Sequence, residues 1–175
     1  MKKFELTAES KINIFGKKLF RIKALISFGD VEEGETGGWI EKEENLEQSS
    51  GNAWVSGDAE VSGNARVSGD AEVSGNAWVY GNAEVYGNAR VSGNAEVSGN
   101  ADYTTIHGFG TQFRTTTFFQ CEDKQIRVSC GCFLGTIPEF REQVKNTREG
   151  KIAEEYLMIA DLMEKHFVKE KESGE

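Results

Sequence analysis

Between Gly51 and Thr104 the chain repeats Gly–Asn/Asp–Ala–x–Val–Ser/Tyr nine times without a break. Ala and Val stand two apart, so on an extended strand both point to one side. The x residue and Ser/Tyr point to the other. Gly followed by Asn or Asp tolerates positive φ and supplies a corner after each strand. A helix is excluded, because its apolar spacing would be near 3.6 and Gly at every sixth position would weaken it repeatedly. Strands this short bury nothing alone, so the units must stack on one another.

The run GNAWVS, GDAEVS, GNARVS and its successors resembles the hexapeptide-repeat left-handed β-helix. That resemblance implies the left hand and a coil of three hexads, 18 residues; the spacing by itself implies neither. Three coils then place the outward x residues in columns: Trp54/Glu72/Arg90, Glu60/Trp78/Glu96 and Arg66/Glu84/Asp102. The second outward columns are Ser56/Ser74/Ser92, Ser62/Tyr80/Ser98 and Ser68/Tyr86/Thr104. Glu72–Arg90 and Arg66–Glu84 bring opposite charges onto adjacent rungs, worth about 0.2–1 kcal/mol each. Val55 to Val97 fill the inside, closed by Tyr103. Open coil ends invite edge-to-edge association, so the flanking segments are expected to be caps.

The flanks follow other periods. Residues 4–25 alternate as a β-hairpin that turns at Phe15-Gly16-Lys17-Lys18. Trp39, Ile40 and Leu46 read as an irregular first rung. Trp39 is read as the apolar plug of a cap, with ligand stacking as the other use of such a residue. Phe28, Asp30-Val31, Gly34, Gly37-Gly38-Trp39-Ile40 and Asn45-Leu46 resemble the N-terminal cap of bacterial and prophage hexapeptide-repeat proteins, several of them labelled transferases. After the repeats, Ile106–Gly110 reads as a Gly-rich turn. Arg114–Cys121 and Ile126–Phe133 read as a strand pair around a turn at 122–125. Thr136 and Glu139 form a capping box for a helix that carries Ile137, Phe140 and Val144. Pro138 falls in its first turn, where a missing N–H costs least. A second helix near Lys151–Lys169 shows Ile152, Tyr156, Ile159/Ala160, Met163 and Phe167 on one face. Leu157, Met158 and Leu162 give it a second apolar side, as expected of a helix covered twice or used at an interface. The stretches TTTFF, VSCGCFLGT, EFREQV and EEYLMIADLMEKHF resemble a C-terminal module of phage proteins of Gram-positive bacteria.

The expected fold is therefore mainly β: a left-handed parallel β-helix of about three coils at 51–104, an N-terminal hairpin cap at 1–50, and a C-terminal ββαα module at 105–175.

Composition sharpens what such a fold would do. The 20 Lys/Arg and 29 Asp/Glu give a net charge of −9, which disfavours broad nucleic-acid binding. The charge is uneven: residues 1–29 carry +5, residues 30–50 carry −7 and residues 51–104 carry −5. The acidic block reads as a solvated face, with a docking surface as the alternative. The basic Lys17-Lys18, Arg21 and Lys23 read as a solvated hairpin, or as a site for an acidic partner or phosphate. No run is apolar enough to cross a membrane, and no apolar leader opens the chain. Three cysteines fit a reducing compartment, so a bacterial cytoplasm is the expected location.

Candidate chemistry is sparse. Cys130 and Cys132 share a strand face. With 122–125 as the turn, however, Cys130 pairs near Thr117 and lies roughly 13 Å along the strand from Cys121. No metal site and no cofactor are expected, and the thiols read as structural. No phosphate-loop, dinucleotide or HExxH motif occurs. His166 reads as a surface or packing residue of the second helix. Resemblance to trimeric β-helix acyltransferases, which use a His as general base beside an acyl donor, makes His107 the one candidate catalytic residue. The repeats lack both His and the extruded loops of those enzymes.

The outward aromatics Trp54, Trp78, Tyr80 and Tyr86 break a run of Ser, Glu and Arg, and mark the candidate binding residues. They either pack beneath the flanking segments, or form a dimer or trimer interface, or meet a ligand. The reading is a non-enzymatic phage-type scaffold that binds a host protein or sequesters a small, nucleotide-like ligand in counter-defence. A hexapeptide acyltransferase and a structural or assembly component are the alternatives.

Overall fold

The computed structural model describes residues 1–168. Its centre is a parallel β-solenoid of about three turns. The hairpin strands β1 (Phe4–Ile12) and β2 (Lys18–Ala24) come first, followed by β3 (Thr36–Ile40). Eight two-residue rungs then run from β4 to β11: Trp54–Val55, Glu60–Val61, Arg66–Val67, Glu72–Val73, Trp78–Val79, Glu84–Val85, Arg90–Val91 and Glu96–Val97. Rungs 18 residues apart lie in parallel register, as in Trp54↔Glu72, Glu60↔Trp78 and Arg66↔Glu84. Backbone N–H groups donate to the next coil at 2.8–3.0 Å, for example Ser56 to Val73 and Glu60 to Ala77. All eight rung valines are fully buried. Asn and Asp at the corners stack too, Asn64 donating to Asn82 at 3.1 Å and Asn52 to Asp70 at 2.9 Å.

The corners are the tightest part of the stack. Gly51 has φ +65°, and a Cβ there would sit 2.0 Å from the carbonyl oxygen of Gly69 in the coil above. Gly87, at φ +67°, has nothing within 4 Å of the same position, because the coil above it has ended.

The first rung is irregular in the expected way. Trp39 and Ile40 pair with Glu60 and Val61, and Leu46 bridges Val67, at spacings of 21 residues. The extra length falls between Leu46 and Val55. It includes Gln48, whose side-chain oxygen accepts from the N–H groups of Lys3 and Phe4 at 2.9 and 3.2 Å. Buried Asn45 donates to Ala65 O at 2.7 Å. Lys3 is buried as well: its ammonium reaches Ala53 O at 3.1 Å and lies over the Phe28 ring, and burial lowers its pKa.

The ninth hexad leaves the solenoid, which corrects the Arg66/Glu84/Asp102 column. Asn100–Asp102 forms a 3-10 turn, and Asp102 accepts from Ser98 N at 2.8 Å, Ser98 Oγ at 2.7 Å and Gly99 N at 3.1 Å. Asn100 Oδ1 takes the ladder bond of Glu84 N at 2.8 Å. Local side-chain hydrogen bonds thus replace the rung. Tyr103 instead opens a four-stranded antiparallel sheet of β12 (Tyr103–Phe109), β13 (Arg114–Gln120), β14 (Ile126–Cys130) and β15 (Phe133–Thr136). Two strands therefore flank the expected pair, and Ile106–Phe109, read as a turn, belongs to the first of them. Phe119 and Cys121 enter the solenoid core, while Phe118 faces α1 (Ile137–Thr147) and α2 (Gly150–His166). The capping box forms as expected, Thr136 N donating to Glu139 Oε2 at 2.7 Å. The second helix was expected to reach Lys169, which lies outside the described residues.

Charge is balanced between segments. Lys2–Glu43 at 2.6 Å, Lys11–Glu60 at 2.8 Å and Lys17–Glu41 at 3.2 Å tie the basic hairpin to the acidic cap and first coil. Arg90–Glu72 pairs at 3.3 Å as the column requires. Arg66 stacks on Glu84 in register but turns to Glu47 on the preceding rung. Ser49 N and Oγ donate to that carboxylate at 3.1 and 2.6 Å. With Arg66 they hold Glu47 at about 2.

Two outcomes are expected. Gly51→Ala and Gly87→Ala share the positive-φ penalty, so urea unfolding at pH 7 should show Gly51→Ala costing at least about 1 kcal/mol more, from backbone overlap alone. The folded Glu47 carboxyl lies below its ordinary 4.5, so its contribution is complete above that pH and is lost as pH falls through about 2. Glu47→Gln should therefore cost about 1 kcal/mol at pH 7 in thermal melts, with the gap to the parent closing on acidification towards pH 2.

Candidate functional site

The four outward aromatics do not form one surface. Trp54 is 5% exposed, packed edge-on between Phe4 at 6.5 Å and Phe28 at 5.5 Å. It is a core residue of the N-terminal cap. Trp78 and Tyr80 lie on another side of the coil, half-buried beneath Phe15 from the hairpin tip at 6.0 and 4.9 Å. Tyr80 donates to Glu96 at 2.7 Å, and burial with that carboxylate pushes its pKa up to about 12. Tyr86, 60% exposed, stands on the third side against the edge of Tyr103. Tyr103 donates to Glu84 O at 2.6 Å. The N-terminal segment thus folds over Trp54, Trp78 and Tyr80 and leaves Tyr86 uncovered.

Of the basic hairpin residues, Lys17 pairs with Glu41, Lys18 lies over Phe20, and Lys23 is exposed. Arg21 lies over the Trp39 ring and donates to Gly57 O at 3.0 Å, and Lys11 covers the same ring. Trp39 is buried, as a plug requires.

The thiols do not converge. Gly131, with φ +61°, and Cys132 form a two-residue turn between Cys130 and Phe133, so Cys132 is off the strand. Cys130 stands opposite Thr116, one position from the expected Thr117, because the loop is Glu122-Asp123-Lys124 with Lys124 at φ +62°. Thr116 Oγ1 donates to Cys130 Sγ at 3.2 Å. Burial pushes the Cys121 thiol up to about 11, which suppresses its thiolate. Among the described residues no group of His, Cys, Asp and Glu could hold a metal ion.

His107 is exposed at a bulge in β12, and its Nδ1 lies 3.2 Å from Thr115 Oγ1. It opens onto a cleft of about 740 Å³ where the sheet meets the last coil. Asn88 and Arg90 come from that coil, and Arg90 N donates to Thr117 Oγ1 of the sheet at 3.0 Å. Phe113 comes from the β12–β13 turn, Arg114 opens β13, and Gly131 and Cys132 come from the β14–β15 turn. Among the described residues no carboxylate lines this cleft, in a chain of net charge −9. Phe113 is 66% exposed at φ +49°, a left-handed conformation that a bulky side chain rarely adopts. Sequence reasoning reached His107 but missed the rest. Arg90 was visible only as a column residue, and no sequence signal marks a Phe at positive φ.

The second apolar side of α2 is open, Met158 being 70% and Leu162 56% exposed. His166 is exposed near the end of that helix, its ring edge-on to Phe167 at 5.0 Å. No helix among the described residues is long and apolar enough to cross a membrane.

Among known families, the YdcK β-solenoid repeat matches residues 59–75 and 83–99, both inside the solenoid. No curated protein matches the chain.

The distribution of the aromatics is checked by truncation. Trp54→Ala should lose about 3–5 kcal/mol in urea unfolding, as for a buried aromatic, and Tyr86→Ser less than about 1 kcal/mol.

Proposed function

We propose that the protein acts by binding and not by catalysis, taking up a small ligand in the cleft between the last coil and the C-terminal sheet. The observation that carries this reading is the cleft's lining: Arg90, Arg114 and His107 with no carboxylate among the described residues, in a chain of net charge −9. Clefts of a few hundred Å³ with a few convergent polar groups are the usual form of small-molecule sites. His107 faces a threonine hydroxyl, with no acid to orient it as a general base. The resemblance of the flanks to phage proteins gives the binding a setting, in which the protein withholds a small molecule from a host defence, or blocks a host protein, within the bacterial cytoplasm.

Acyl transfer is the second reading, favoured by one observation: His107 opens onto that same cleft. A single pair of measurements separates the two. Native mass spectrometry after incubation with a bacterial metabolite extract should show wild-type protein retaining a small ligand that Arg114→Ala does not hold. An unliganded wild type would overturn the binding reading. Acetyl-CoA turnover that disappears in His107→Ala would establish the acyltransferase instead.

A further inference from the structure

We infer that the cleft takes a nucleoside phosphate, with the phosphates on Arg114 and Arg90 and the base stacked on Phe113. This rests on the binding reading above and adds the ligand's chemistry.

Three features of the cleft ask for different parts of one ligand. The first is positive charge with no carboxylate among the described lining residues of the cleft. Among the described residues no carboxylate oxygen lies within 4.0 Å of Arg114 or of Arg148, whose guanidinium donates to Thr147 O, whereas Arg21, Arg66, Arg90, Arg127 and Arg141 all have acidic partners. Arg90 holds only an exposed contact of 3.3 Å to Glu72, which lies outside this cleft. A planar guanidinium with free N–H groups binds phosphate bidentately.

The second feature is the guanidinium's seat. Gly131, at φ +61°, turns the chain beside Arg114, and a Cβ there would lie 2.5 Å from Nη1, so the flexible end of the arginine rests against this turn at the cleft wall.

The third is Phe113. Its ring is two-thirds exposed, and its backbone is held in a conformation that costs free energy for a bulky residue. Burial in a core does not repay that cost. Strain of this kind at the rim of a basic cleft fits a side chain held out for a flat partner, and a nucleobase stacks on an exposed aromatic ring whatever its identity. Asn88 on the floor supplies an amide that can donate and accept at a base or sugar edge.

The ligand is short. The coil that forms one wall of the cleft belongs to a segment of net charge −5 in a chain of net charge −9, which disfavours an extended polyanion. A mononucleotide fits the cleft's volume and avoids that field.

The test is isothermal titration calorimetry of the full chain in low salt, with ATP, GTP, CTP, UTP, adenosine, inorganic pyrophosphate and a dT oligonucleotide as probes. At least one triphosphate should bind saturably at one per chain, and adenosine at least tenfold more weakly. Arg114→Ala should weaken triphosphate and pyrophosphate alike by about tenfold or more. Phe113→Gly should weaken the triphosphate by about tenfold, change pyrophosphate less than twofold, and raise the melting temperature because the strain is gone. That rise separates a lost contact from a damaged fold.

Triphosphate binding that survives Phe113→Gly unchanged overturns the stacking, and oligonucleotide binding as tight as that of the triphosphate overturns the choice of ligand. If no triphosphate binds, the inference fails. Should a metabolite still be retained in an Arg114-dependent way in that event, the broader binding reading stands and only the ligand class is wrong.

Discussion

Three times in every coil the backbone passes over itself at a corner where glycine lies against glycine, as at Gly51–Gly69, Gly57–Gly75 and Gly63–Gly81. The regular N–H to C=O distances of 2.8–3.0 Å between coils require that approach, and a side chain at Gly51 would meet backbone at 2.0 Å. Positive φ at these positions turns the chain; the absent Cβ lets the coils close to hydrogen-bonding distance. Valine burial follows from the closure. Each inward Val contacts its counterparts because the corners have already set the spacing.

A stack built this way has two open ends, and the molecule closes them differently. At the N-terminal end, β2 pairs antiparallel with β3 and so extends the sheet of the first rung. Gln48, Asn45 and Lys3 use their side chains on backbone groups near that end. The basic hairpin meets the acidic segment that follows it through Lys2–Glu43 and Lys17–Glu41, and the first coil through Lys11–Glu60, so part of the charge asymmetry along the chain is internal pairing. At the C-terminal end, Asn100 and Asp102 break the repeat, and the antiparallel sheet lays Phe119 and Cys121 over the last coil. Neither end presents a full set of unpaired rung groups to a second copy.

The cleft is a by-product of this second closure. The sheet covers the solenoid core with one end of β13 and diverges from it at the other, near Thr115. Loops from both partners line the gap, and loops can carry Phe113 and Gly131 at φ values that strands do not permit. The hairpin meanwhile buries or half-covers three of the four aromatics that the repeat turns outward, which moves the candidate site from the solenoid walls to its C-terminal junction.

The nine hexads by themselves determined the strand–corner alternation, the inward Ala and Val, and the outward columns. These are consequences of period, and period is local. Trp39, Ile40 and Leu46 were legible as a first rung for the same reason, and so was the Thr136–Glu139 cap. The ninth hexad reads almost like the others, yet Asp102 and Asn100 satisfy backbone groups that a rung would have used, a competition decided only once the neighbouring coil is in place. Trp54 and Tyr86 are equally outward in the repeat. Phe4 and Phe28, distant along the chain, bury the one and leave the other exposed. Arg66 chose Glu47 over Glu84 because Ser49 had already fixed that carboxylate. The cleft lies furthest from the sequence: Asn88, His107, Phe113 and Gly131 belong to four separate segments. What brings them together is the angle at which a sheet leaves a coil, a property of packing and not of any pattern along the chain.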